Sequence, residues 1–272
     1  MDIAPKGPGI IQHDLSRGIP LPDTSCDVVY HAAVLEHLRR PDVAAFLTEC
    51  YRVLKPGGVV RVGVPDLEKI CRLYLSRLTK ALNGDKAAVQ DYDWILLELY
   101  DQTVRETSGG GMRDFLRQIP LPNAEFVYGR IGEEGRQLVE VLRIKDNEQL
   151  ETSQNTASGP SIFRWMLKRV RSLPVAASQR ALRFLIGSEG MRALAIGRFR
   201  LAGEVHHWMY DRFSLARLLC SIGFLDPQVK DANTSRVPDW NRFNLDTLPD
   251  GTPIKPDLFF MEAIKPGIST NE

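Results

Sequence analysis

The sequence predicts an α/β fold organised around a parallel strand–helix–strand unit between Asp23 and Asp66. Three observations predict it. Asp27 to Ala33 is a short, mostly apolar run rich in β-branched and aromatic residues and bounded by turn residues, the pattern of a buried strand. Pro41 to Leu54 is a helix: Val43, Phe46, Leu47, Cys50, Val53 and Leu54 recur on one face at helical spacing, with proline in the first turn. Lys55-Pro56-Gly57-Gly58 ends that helix with a cation near its C-terminal dipole, a proline and two glycines, and Val59 to Val64 is a second strand. Two strands joined through a helix of this length make a right-handed parallel crossover.

The remaining elements follow in order. Gly9 to His13 reads as a short strand, and Gly18 to Asp23 as a linker into the strand at Asp27. Asp66 to Leu82 is a helix with Leu67, Ile70, Leu73, Tyr74 and Leu78 on its apolar face. Asp85 to about Gly203 is an insertion. Within it Tyr92 to Arg105 is helical, Ser108 to Met112 is a flexible glycine turn, and Glu133 to Pro160 is loop or frayed helix. The glycine triplet is not a phosphate loop, because no Gly-Lys-Ser/Thr follows it. After the insertion, Ser214 caps a helix carrying Leu215, Leu218, Leu219 and Ile222 and closed by Gly223. Pro227 to Ala232 and Leu258 to Ile264 are the last strands.

Composition narrows the class. The 272 residues suit one elaborated domain, and 43% hydrophobic with 25% charged content is ordinary for a soluble globular chain. A net charge of +1 gives nucleic-acid binding no global support. The four cysteines form no CxxC pair and read as reduced core thiols, so neither a disulfide framework nor a cysteine metal site is expected. No run reaches membrane-spanning length and the first residues lack a signal-peptide pattern, which points to the cytoplasm.

CDVVYHAAVLEHL followed by YRVLKPGGVVRVGVPD resembles the fourth strand, fourth helix and fifth strand of class I S-adenosylmethionine-dependent methyltransferases, closest to those with a type 11 domain. The bland alternative is any αβ crossover with a glycine turn. The resemblance implies a Rossmann-like methyltransferase sheet, mostly parallel with an antiparallel last strand at Leu258 to Ile264. It implies S-adenosylmethionine as cofactor, with Asp2 on the ribose hydroxyls, Asp14 and Leu15 beside the adenine, and His31 and Ala32 near the methionine part. Asp14 reads equally as a turn residue. In the family a first strand and a glycine-rich loop precede the position of Asp2, so the chain is expected to be N-terminally incomplete, either from a start placed too far downstream or from a true truncation. His37 is the candidate general base, against the plainer reading that its ring only holds the loop.

The insertion is expected to be a substrate cap. DWILLELYDQTVRETSGGGM resembles a segment of methyltransferases associated with bacterial surface-polysaccharide clusters. Asp101, Gln102 and Arg105 can meet sugar hydroxyls or an acidic group, or can simply form a solvated face. His206, His207 and Tyr210 are dense in functional groups and can line the acceptor pocket, but they lack the further ligands of a zinc site, so no metal is expected. Ser161 to Gly203 is basic and amphipathic and can dock on the anionic inner face of a membrane, or can be a pair of ordinary cap helices. The expected organisation is a first core part at 1–84, a cap at 85–203 and a second core part at 204–272. The expected function is methyl transfer to a saccharide or other small acceptor in surface-polysaccharide biosynthesis. The alternatives are a catalytically silent protein that keeps the fold as a binding module and an adaptor at the membrane surface. Oligomeric state is left open.

Overall fold

A computed structural model describes residues 10–154 and 182–267. Its strands are β1 (Cys26–Ala32), β2 (Leu54–Pro65), β3 (Leu225–Lys230) and β4 (Leu258–Ile264), in the sheet order β1-β2-β4-β3. β1 and β2 are parallel, with Tyr30 opposite Arg61 and Ala32 opposite Gly63, and β4 runs antiparallel to both β2 and β3. The expected crossover and the antiparallel last strand are therefore present. The strand expected at Gly9 to His13 is not formed in its described part: from Ile10 to His13, Gln12 alone makes a bridge.

Helix α1 (Arg40–Val53) connects β1 to β2 and buries Val43, Phe46, Leu47, Cys50 and Val53, the face that spacing predicts. Lys55 to Gly58 is more than a helix stop. β1 advances only from Cys26 to Val28 while β2 advances from Leu54 to Val59, so these four residues bulge out of the ladder. Gly57 has φ 79°, its N–H donates to Lys265 O at 2.8 Å, and Lys265 N–H donates to Gly58 O. The cation at the end of α1 is Lys265, not Lys55. Its ammonium donates to the carbonyls of Tyr51 (2.8 Å) and Leu54 (2.6 Å), while Lys55 pairs with Asp27 at the surface.

The two faces of the sheet are covered differently. Val60, Val62 and Val64 point into an apolar cluster with α1 and α8 (Arg212–Ile222). Asp211 is the N-cap of α8 and Ser214 closes the reciprocal capping box three residues on, so the helix starts earlier than a Ser214 cap implies. On the other face Arg61 is wholly buried and bonds Asp246 and Glu262, both at 2.8 Å. Tyr30 Oη and Trp240 Nε1 also donate to Asp246, and the Arg236 amide donates to Glu262. This polar pillar holds the loop between β3 and β4 against the sheet.

The remaining helices follow, most of them built around a second apolar cluster. These are α2 (Leu67–Leu82), α3 (Lys86–Leu96), continued by a π-helical turn Leu97–Asp101 and the short α4 (Gln102–Val104), then α5 (Gly110–Leu116), α6 (Ala124–Gln154) and α7 (182–200). Asp66 caps α2 through Lys69 N–H. Ile70 of α2 packs with Trp94, Ile95, Leu116, Leu121, Val127 and Val139. A boundary at residue 84 thus separates α2 from the helices it packs against. Of the two readings of the polar stretch from Glu133, loop or frayed helix, helix holds over its described part, and the glycine turn covers only Ser108 and Gly109. Residues 133–154 are helical, since α6 runs on past a break at Gly132 (φ 64°, ψ −160°). The glycines at 109–111 open α5 and press on Asp101: a Cβ on Gly110 would lie 2.5 Å from that carboxylate.

Candidate functional site

The C-terminal ends of β1 and β2 share one rim, where ligands of open α/β sheets bind. β1 ends at Ala32. Ala33 takes φ 54° while its N–H still donates to Gly63 O at 3.0 Å, and the chain turns at once into a 3-10 turn, Leu35–His37, that buries Leu35 and Glu36. The segment 204–211 crosses this rim. His206 N–H donates to Gln102 O (2.9 Å), His207 N–H donates to Glu36 O (2.6 Å), and Leu67 N–H donates to Tyr210 O (3.1 Å) beside a bridge between Asp66 and Tyr210.

These backbone bonds bring Glu36, His37 and His206 together. One carboxylate oxygen and one ring nitrogen from each histidine lie within 4.8 Å of one another. The imidazoles meet edge-on, with centroids 4.7 Å apart. Glu36 is 1% exposed and His206 5%. Neither oxygen of Glu36, nor Nδ1 of either histidine, has a hydrogen-bond partner within the protein. Leaving a buried polar group unpaired costs about 1–3 kcal/mol. Burial pushes the Glu36 carboxyl up to about 7 and His206 down to about 3, and it also lowers His37. All three groups are therefore biased to their neutral forms. Burial and the nearby Glu36 likewise raise Tyr210 to about 12.

Charged groups frame the cluster. Arg105 pairs with Asp101 (2.6 Å) and Glu204 (3.1 Å), Asp101 also accepts from Gly111 N–H (2.6 Å), and Glu204 accepts from Gly109 N–H (2.7 Å). The polar groups of Asp101 and Arg105 are thus engaged with each other and with the segment 204–211, rather than presented as a free face. They brace the segment 204–211 at the rim. Lys255, which faces Glu36, pairs with Glu134 at 3.0 Å.

The other expected residues fall as follows. His37, His206 and Tyr210 converge, with Tyr210 buried and His207 half-buried beside them. Ala32 lies at the rim, opposite Gly63. His31 is one residue earlier and faces the α1 side, its ring edge-on to Phe46 (5.1 Å) and its pKa held near about 4 by burial. Its ring is a core group, so only its backbone position serves the rim. Leu15 opens a 3-10 turn, Leu15–Arg17, and packs against the α1 cluster, while Asp14 O accepts from Arg17 N–H. Asp2 lies outside the described residues. Glu36 is the member of this cluster to which sequence reasoning gave no role. Its one local signal is a Glu-His pair directly after a strand, and nothing local ties that pair to His206.

The segment that builds this rim is also the part of the chain with known counterparts. Residues 3–62 match the methyltransferase domain family. A probable S-adenosylmethionine-dependent methyltransferase of Mycolicibacterium smegmatis is 50% identical over 56 residues, 21% of either chain. Relatives of the same description from two Mycobacterium tuberculosis strains are 44% identical over 57 residues, 21% of this chain and 20% of theirs. The chain thus aligns with about a fifth of the length of the curated relatives it matches. No solved structure matches it.

Proposed function

We propose that the chain acts in S-adenosylmethionine-dependent methyl transfer to a small-molecule acceptor, with a saccharide of bacterial surface-polysaccharide biosynthesis as the acceptor class. The observation that carries this reading is that the family-matching segment covers β1, α1 and most of β2, and that Glu36 and His37 follow directly on β1, where they meet His206. The described residues suit the methionine end of the cofactor: small Ala32 ends β1 and small Ala33 follows it. Asp2, Asp14 and Leu15 are the proposed nucleoside contacts, and Ala32 with the backbone of His31 the contacts to the methionine part. S-adenosylmethionine, when bound, supplies an electrophilic methyl group. The chain's part is to align the acceptor and exclude water. His37 is the proposed base, and His206, His207 and Tyr210 line the acceptor side, braced by Asp101 and Arg105.

In this reading 1–84 and 204–272 form the cofactor platform in the cytoplasm and 85–203 the acceptor cap. Calorimetric titration of S-adenosylhomocysteine tests it. One equivalent is expected to bind, and Ala32→Trp, which fills the strand end, is expected to lower affinity at least tenfold. Absence of binding by the wild-type chain would favour the alternative, a silent module that keeps the fold without the reaction.

A second contact is supported by α7, where Phe184 is 91% exposed and Leu185 77%, next to Arg183. An anionic membrane surface is the proposed partner, reached by α7 and the basic residues of 161–181, which lie outside the described residues. Among the described residues no helix is long and apolar enough to cross a membrane. Flotation with anionic vesicles, lost in Phe184→Glu, is the expected result.

A further inference from the structure

We infer that Glu36, His37 and His206 form a binding site for a divalent transition-metal ion of the zinc class. This goes beyond the methyl-transfer reading and does not depend on it; with the ion bound, His37 serves as a ligand in place of the base role. Three features point to a cation rather than to a packed polar corner. The ligand atoms are of the right kind, because imidazole nitrogen with one carboxylate oxygen is a donor set for zinc, cobalt or ferrous iron, whereas magnesium and calcium take oxygen. Glu36 and His206 are buried and His37 half-buried, and both carboxylate oxygens and Nδ1 of each ring are without partners within the protein, so the fold leaves lone-pair donors around a space that none of its own donors fills. They also converge: within 4.8 Å of one another, they need to close to about 3.3 Å, the edge of a tetrahedron with metal–nitrogen bonds near 2.0 Å. Small side-chain rotations supply that.

The charge balance agrees. A bound divalent ion displaces the Glu36 proton, and one carboxylate with two neutral imidazoles then reduces its two positive charges to one. The cations facing the corner are already committed elsewhere, Arg105 to Asp101 and Glu204, and Lys255 to Glu134. The ligands sit on rigid supports, since His207 N–H holds Glu36 O and His206 N–H holds Gln102 O. Three protein ligands leave at least one coordination position open, the arrangement of a metal that receives a small molecule rather than one that only props a fold.

The test is metal binding itself, on the full chain stripped with a chelator and without any cofactor present. Cobalt(II) and zinc(II) are titrated by calorimetry, and cobalt also by its visible absorption, which reports nitrogen and oxygen ligands in a low-symmetry site. One equivalent is expected. Glu36→Gln, His37→Gln and His206→Gln should each weaken binding by at least the factor of about ten seen when mere outer-shell partners are removed. His13→Gln, remote from the corner, should bind as wild type. Circular dichroism of each variant separates a lost ligand from a lost fold, and the wild-type titration stands whether or not a variant folds. Failure of the wild-type chain to take up either ion would overturn the site, as would folded triad variants that bind unchanged. S-adenosylhomocysteine binding, measured separately, tells failure of this site from failure of the methyl-transfer reading.

Discussion

Glu49 illustrates how one side chain organises a segment that has no regular structure. Its carboxylate accepts from Arg52 (2.8 Å) and from the amide of Ile19 (2.9 Å), and Arg52 in turn donates to Asp23 and to the carbonyls of Ile19 and Leu21. The linker between Gly18 and Asp23 is thereby tied to α1. Those hydrogen bonds, Arg52 first, lower the carboxyl from its ordinary 4.5 to about 2. A folded-state value below the unfolded one means that the group's stabilisation is complete above pH 4.5 and is lost as pH falls toward 2. Glu49→Gln is therefore expected to flatten the dependence of urea midpoint on pH across that window, leaving smaller differences in slope near neutrality. An unchanged slope between pH 4.5 and 2 would show that the interaction persists in the unfolded chain.

At the scale of elements, regular periodicity was legible and long-range pairing was not. β1, α1, β2, α2 and β4 lie within a residue or two of where spacing placed them, apart from the N-terminal extension of β2, because each buries one face of a regular repeat. Lys55 to Gly58 read as a helix stop because its partner, Lys265, lies at the far end of the chain. The polar stretch from Glu133 read as loop or frayed helix because its helix is interrupted at Gly132, where positive φ breaks the pattern. That break has a physical reason: a Cβ there would lie 2.3 Å from Ile254 O and 2.5 Å from Pro256 Cδ. Gly132→Ala thus combines backbone strain with a collision against the chain that leads into β4. A loss of more than about 1 kcal/mol is expected in chemical denaturation; a neutral substitution would mean that residues 254–256 move aside freely.

At the scale of the molecule, the candidate site exists only because two distant parts of the chain are fastened across the rim. Glu36 and His37 follow β1, His206 precedes α8, and the strap between them is Arg105 with Asp101 and Glu204. That is why the sequence revealed His37 and the 206–207 pair separately and did not join them. Removing the strap tests the arrangement. Arg105→Met should speed amide hydrogen exchange at His206 and His207, whose N–H groups bond Gln102 and Glu36, while Val60 to Val64 in the middle of the sheet stay protected. Equal protection at both places would mean that the segment 204–211 is held by its backbone bonds alone.

The pillar of Arg61, Asp246 and Glu262 bears on how mutational data for this chain are to be read. Each member is enclosed, so changing Arg61 strands Asp246 and Glu262 as buried charges without their cation and costs about 3–5 kcal/mol, whereas apolar replacement of all three together can be neutral. A scan that scores one substitution at a time will rank these positions beside any that touch a ligand. Only combined replacements, in which lost charge and lost volume are restored at once, separate scaffold from chemistry here.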